Sequence, residues 1–148
     1  MPAVPMPVVH DAIAKLQRLT DLFRDRRAEL AAGAGLTEQQ WEVLERIGTE
    51  SFMPSLFARH RESSAAAVSR LIRQLIEKRL VSVSASPHDG RQRAYVLTAK
   101  GRRALDAVRA SRQAAIDAVW APLDTSALAT FARVSDELIR RIESYAGR

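Results

Sequence analysis

The chain has 148 residues, 47% hydrophobic and 27% charged, which fits one compact domain or a small domain with a docking extension and is unlike the composition of a disordered segment. It contains no cysteine, so disulfides, thiolate metal sites and thiol nucleophiles are excluded. A net charge of +6 points to an anionic partner, and no apolar run approaches the ~20 residues of a membrane span.

Three of the six prolines fall within the first seven residues, so the start reads as an extended, loose arm. It has no basic opening and no long apolar stretch, so a secretory signal is not expected and a soluble, cytoplasmic protein is. From about Val8, the residues Val9, Ile13, Leu16, Leu19 and Phe23 recur at spacings of three and four. This predicts an amphipathic helix to about Ala32, stopped by Gly33 and Gly35. Leu36-Thr37-Glu38-Gln39-Gln40-Trp41 starts the next helix: Thr37 caps the Gln40 amide, Gln40 reaches back, and Leu36 and Trp41 sit at the staple positions. That helix carries Val43, Leu44 and Ile47 and ends near Gly48.

Pro54 suits the first turn of a short helix to about His60. Ser63 or Ser64 then caps a longer one, in which Val68, Leu71, Ile72, Leu75 and Ile76 form a single apolar face. At ~100° per residue, Ala66, Arg70, Arg73 and Glu77 project from the opposite side, with Ser69 and Gln74 at its margins. Val81 to Ala85 alternates like a half-buried strand and Gln92 to Leu97 reads as a second. Between them, Ser86-Pro87-His88-Asp89-Gly90-Arg91 supplies a turn with a basic tip. Thr98 caps a long helix to about Trp120, Pro122 ends it, and Leu123-Asp124 restarts the chain. Leu128, Phe131, Val134, Leu138, Ile142 and Tyr145 then mark a final amphipathic helix.

The basic charge is concentrated in the middle. Residues 59–103 hold eleven basic and three acidic side chains, a net +8, and the remainder carries −2. Short helix, outward-basic helix and basic hairpin, in that order, form a winged helix-turn-helix: the second helix fits the major groove and the hairpin tip reaches the adjacent minor groove. The expected fold is therefore mostly α with a small β-hairpin wing. The apolar faces of the first and last helices exceed what one small lobe covers, so a two-fold homodimer is expected.

The chain resembles the MarR-type bacterial transcriptional regulators. The resemblance rests on Ala67-Val68-Ser69-Arg70-Leu71-Ile72, then Leu75 and Leu80-Val81, then Asp89-Gly90-Arg91 placed eight residues before Leu97-Thr98-Ala99-Lys100-Gly101. It implies a winged helix-turn-helix lobe over 36–98 and a helical dimerisation region from 8–32 and 99–146. It further implies a homodimer on a palindromic operator in double-stranded DNA, acting as a nucleoid-associated repressor relieved by a small aromatic or anionic ligand. Carried over by position, Ser64, Ala65, Ala66, Ser69, Arg70 and Arg73 lie at DNA, with Arg91 and Arg93 on the wing and Asp89 bracing it. Arg79 stands where the family usually has glycine, which argues against a left-handed end to the recognition helix. Ala65, Ala66 and Ala67 replace the commoner Ser/Thr mixture and leave fewer hydrogen-bond donors for the bases.

Other chemistry finds no support in the residues. His10, His60 and His88 have no metal-ligand spacing, and no Gly-rich phosphate loop or nucleophile motif occurs, so no metal, no cofactor and no enzymatic activity are expected. The alternative reading is a winged-helix interaction module whose arginines meet an acidic protein partner.

Overall fold

The computed structural model of the chain describes residues 3–49, 52, 54–60, 63–85 and 93–147, and for residues 55, 56, 60 and 85 the backbone alone. The described elements are α1 (Met6–Gly33), α2 (Glu38–Thr49), α3 (Pro54–His60), α4 (Ala65–Glu77), β1 (Val81–Ala85), β2 (Arg93–Leu97), α5 (Ala99–Val119) and α6 (Thr125–Ala146). The chain divides into two compact units, Met1–Ala110 and Ser111–Arg148.

α1 begins earlier than its sequence pattern predicts. Pro5 is its N-cap residue and Pro7 lies in the first turn, where a missing N–H costs nothing and the fixed φ suits a helix. The proline-rich arm is thus shortened by the helix it precedes. Only Ala31 of α1 is buried, while Ile13, Leu16, Leu19, Leu22 and Phe23 remain 40–49% exposed.

The core of the first unit is built by α2, α4 and the start of α5. Val43, Leu44, Val68, Leu75, Leu105 and Val108 are its fully enclosed large side chains. α2 opens with the predicted reciprocal cap: the Gln40 amide donates to Thr37 Oγ1 and the Thr37 amide donates to Gln40 Oε1, each at 3.1 Å. Leu36 and Trp41 are both buried beside it, and the Arg27 guanidinium of α1 lies 4.9 Å over the Trp41 ring. Across the lobe, Arg109 of α5 donates to Glu45 of α2 at 2.6 Å; this hydrogen bond raises the Arg109 pKa above its usual value, against the opposing effect of desolvation.

The end of α4 departs from expectation. Arg79 adopts φ +61°, and the Leu80 amide donates to the Leu75 carbonyl while the Arg79 amide donates to the Ile76 carbonyl, each at 2.9 Å. This is the left-handed Schellman ending, made with arginine instead of glycine. The two hydrogen bonds and the burial of Leu75 and Leu80 outweigh the ~1–2 kcal/mol steric cost of a left-handed L-residue. Arg79→Gly is therefore expected to stabilise the fold by about 0.5–1 kcal/mol, once glycine's greater backbone entropy in the unfolded chain is subtracted. A thermal melt checks this: a higher midpoint is expected, and a lower one would mean that the arginine side chain contributes to folding.

The turn also explains the Leu97-to-Gly101 spacing. Thr98 Oγ1 donates to the Arg79 carbonyl at 2.6 Å and accepts from the Gly101 amide at 3.0 Å, which caps α5 as predicted. A Cβ on Gly101 would lie 2.0 Å from the Leu80 carbonyl oxygen, so only glycine allows this approach.

β1 and β2 pair antiparallel, with Val81 opposite Leu97, Val83 opposite Tyr95 and Ala85 opposite Arg93. The base of this hairpin belongs to the core, since Val81 is buried and Tyr95 meets Phe52, which in turn meets Phe57. Farther out, Ser82, Val83 and Ser84 are exposed, so the ladder leaves the core as it extends. In the second unit Asp124 caps α6 by accepting from the Ala127 amide at 2.8 Å. No residue of α6 is buried, and Phe131, Val134, Leu138, Ile139 and Ile142 are 46–60% exposed.

Candidate nucleic-acid interface

The site is built on α4. Ser64, extended at φ −74° and ψ 150°, accepts a hydrogen bond from the Ala67 amide at 3.1 Å, which starts the helix one residue later at Ala65. The apolar repeat then turns Val68, Ile72 and Leu75 into the core and leaves Leu71 half-buried at its margin. Ile76, assigned to the same face by its spacing, is 38% exposed because it lies in the last turn, at the edge of the packed surface.

With the apolar face fixed, Ala65, Ala66, Ser69, Arg70, Arg73 and Glu77 are all exposed. The two arginines have no ion-pair partner among the described residues; the Arg73–Glu77 pairing that their i, i+4 spacing permits is not made. They are available to an external anion. The Ser64 hydroxyl oxygen is engaged in the cap and the Ala65 and Ala66 side chains carry no polar atoms, so the described side-chain polar reach of the first helical turns comes from Ser69, Arg70 and Arg73.

The wing is only partly within the described residues. Arg93 is exposed at the start of β2, and α4 packs against β1, so hairpin and helix belong to one lobe. Asp89 and Arg91, assigned to the tip and its brace, lie outside the described residues, as do residues 86–92 as a group.

The sequence pattern did not disclose what holds α4 in place beneath its exposed face. Gln40 of α2 is 4% exposed and is the buried polar residue of the described set. Its Nε2 donates to Gln74 Oε1 at 2.9 Å, and its Oε1 accepts from Lys78 Nζ at 2.7 Å in addition to the Thr37 amide. Lys78 Nζ also donates to the Gly35 carbonyl at 2.8 Å. The capping motif in the sequence signals the local half of this arrangement. The half that reaches α4 spans 34 and 38 positions, which no local motif encodes.

Beside the helix, a cleft of about 350 Å3 is lined by residues including Phe57, Ala67, Arg70, Leu71 and Gln74. Among the described residues no group of three His, Asp or Glu side chains is placed to hold a metal ion, and no helix is long and apolar enough to cross a membrane.

Residues 34–92 match the model of the MarR family. No curated protein matches the sequence. The fold is similar to that of the MarR family transcription regulator SP03579, at TM-score 0.83 and 18% identity over 97% of this chain and 95% of that one. It is similar to FabT of Streptococcus pneumoniae, solved in complex with DNA, at TM-score 0.74 and 16% identity over 90% and 98% of the two chains. It is also similar to MarR of Staphylococcus aureus, solved with salicylate and kanamycin, at TM-score 0.75 and 17% identity over 93% of each chain.

Proposed function

We propose that this chain, whose residues 34–92 match the MarR family and whose fold is that of MarR winged-helix regulators, is a sequence-specific DNA-binding transcriptional regulator. It acts as a homodimeric repressor at a palindromic operator, in the cytoplasm and at the nucleoid, and is released by a small aromatic or anionic ligand. The observation that carries this reading is the outward face of α4: two exposed arginines without ion-pair partners among the described residues, on a helix whose other side is buried in the core. A helix of this width enters the major groove, where an arginine donates two parallel hydrogen bonds to guanine O6 and N7.

Ser64, Ala65, Ala66, Ser69, Arg70 and Arg73 face the groove in this reading, and Arg91 and Arg93 follow the wing to the minor groove, with Asp89 bracing the hairpin. The apolar faces of α1 and α6 meet a second copy, which sets two recognition helices against two half-sites. For release by a ligand, the cleft flanking α4 has Arg70, Phe57 and Leu71 among its lining residues. An aromatic acid seated there takes a cation away from DNA.

Selection of bound duplexes from a random pool tests the reading. An inverted repeat with half-sites one helical turn or a multiple apart, about 10 bp per turn, is the expected product. Repeating the selection with salicylate should reduce the recovered fraction. A pool that remains random after selection would overturn sequence-specific recognition.

A further inference from the structure

We propose that Gln40 is a positioning residue for DNA readout, fixing the rotation of α4 about its own axis through Gln74 and Lys78 and thereby aiming Arg70 and Arg73. This rests on the DNA-binding reading above.

The apolar side of α4 cannot do this alone. Contacts of Val68, Ile72 and Leu75 are non-directional, and a few degrees of rotation change their burial little. A rotation of ~10° moves an extended arginine tip, ~8–9 Å from the helix axis, by ~1.5 Å, which is enough to lose a bidentate base contact. Hydrogen bonds are directional on that scale. Gln74 lies four residues after Arg70, on nearly the same side of the helix, and directly after Arg73. Holding Gln74 therefore holds both arginines.

The polar groups of the Gln40 side chain are used in a way that capping alone does not require. A capping box needs one contact, from the Thr37 amide to Oε1. Here the same oxygen also accepts from Lys78 Nζ, and the amide nitrogen donates to Gln74, so the start of α2 is bound to the last turn of α4 at two points. Lys78 in turn binds the Gly35 carbonyl, and Lys100 Nζ donates to the Lys78 carbonyl at 2.9 Å, which ties the same corner to α5. A network anchored on the buried Gln40 amide, with its donors and acceptors paired, favours one arrangement of its elements.

The test compares Gln40→Met with Gln40→Glu. Methionine preserves volume and removes every polar contact. Glutamate keeps the acceptor for Thr37 and Lys78, and Gln74 needs only to turn its amide to donate. Affinity is measured on the duplex selected with the wild type and on a scrambled duplex of equal length, well below each melting temperature. For Gln40→Met the ratio of the two affinities should fall about tenfold or more, with scrambled binding unchanged, and Gln40→Glu should restore it. A lowered melting temperature with an unchanged ratio would overturn the proposal, because a merely structural residue does that. If Gln40→Met does not fold, Gln74→Met removes the contact that holds α4 to Gln40 with the cap of α2 intact, and an unchanged ratio there overturns the proposal equally. A wild type that does not distinguish the two duplexes would instead refute the DNA-binding reading, and this proposal with it.

Discussion

Replacing Arg73 by alanine is expected to cost about 1–3 kcal/mol per half-site and to flatten the base preference at the position it reads. The side chain is exposed on α4 and has no ion-pair partner among the described residues, so its removal leaves the lobe intact and the effect appears in binding alone. A dimer presents the residue twice, and the two losses add because the half-sites are far apart. Competition binding on single-base variants of the selected duplex reads this directly. If the preferred sequence is unchanged and only the salt dependence weakens, by about two units of log–log slope for the two copies in a dimer, Arg73 holds a phosphate and another residue reads the base.

The second large effect is expected on α6. Phe131, Val134, Leu138, Ile142 and Tyr145 recur at spacings of three and four, and all are 46–80% exposed in the single chain. A stable protein interface buries roughly 1,200–2,000 Å2, and a continuous apolar helix face of this length is suited to contribute to one. Leu138→Glu places a carboxylate in the middle of that face, where burial without a partner costs several kcal/mol. Light scattering should then report a mass near 16.4 kDa for the variant and twice that for the wild type. Operator affinity should fall about 10²–10⁴-fold, the gain that linking two half-site contacts provides. A variant that keeps the dimer mass would place the subunit contact elsewhere.

Most of the fold is legible in the residues because its determinants are local. Thr37 and Gln40 form a reciprocal cap, Ser64 and Thr98 begin their helices, and the apolar spacing of Val68, Ile72 and Leu75 assigns the buried side of α4. The exposed face of α4 follows from the buried one by subtraction. Three features do not follow. Pro5 and Pro7 suggest an extended start, yet proline is compatible with a first helical turn, and the register of α1 decides between the two. Arg79 reads as a poor left-handed residue, but its conformation is imposed by non-local burial of Leu80 and the Thr98 contact to its carbonyl. The link from Gln40 to Gln74 joins residues 34 positions apart, and periodicity assigns faces without naming partners. The wing divides in the same way: the alternation of β1 predicts a strand, whereas only packing of Val81 and Tyr95 shows which end enters the core.

The basic face of α4 and its hairpin are expected to bind duplex DNA by sequence. The most direct test is a salt titration of the full chain on the selected duplex and on a scrambled one, followed by fluorescence anisotropy. Each cation that displaces a counterion contributes about −0.9 to the slope of log affinity against log salt. With Arg70, Arg73 and Arg91 at the interface in both subunits, a slope of roughly −4 or steeper is expected, depending on how many of these cations meet phosphate rather than bases. The selected duplex should remain at least ~10³-fold tighter than the scrambled one at physiological salt. Equal affinity for both duplexes would contradict recognition by sequence, and no binding even at low salt would leave the arginine face to an acidic protein partner.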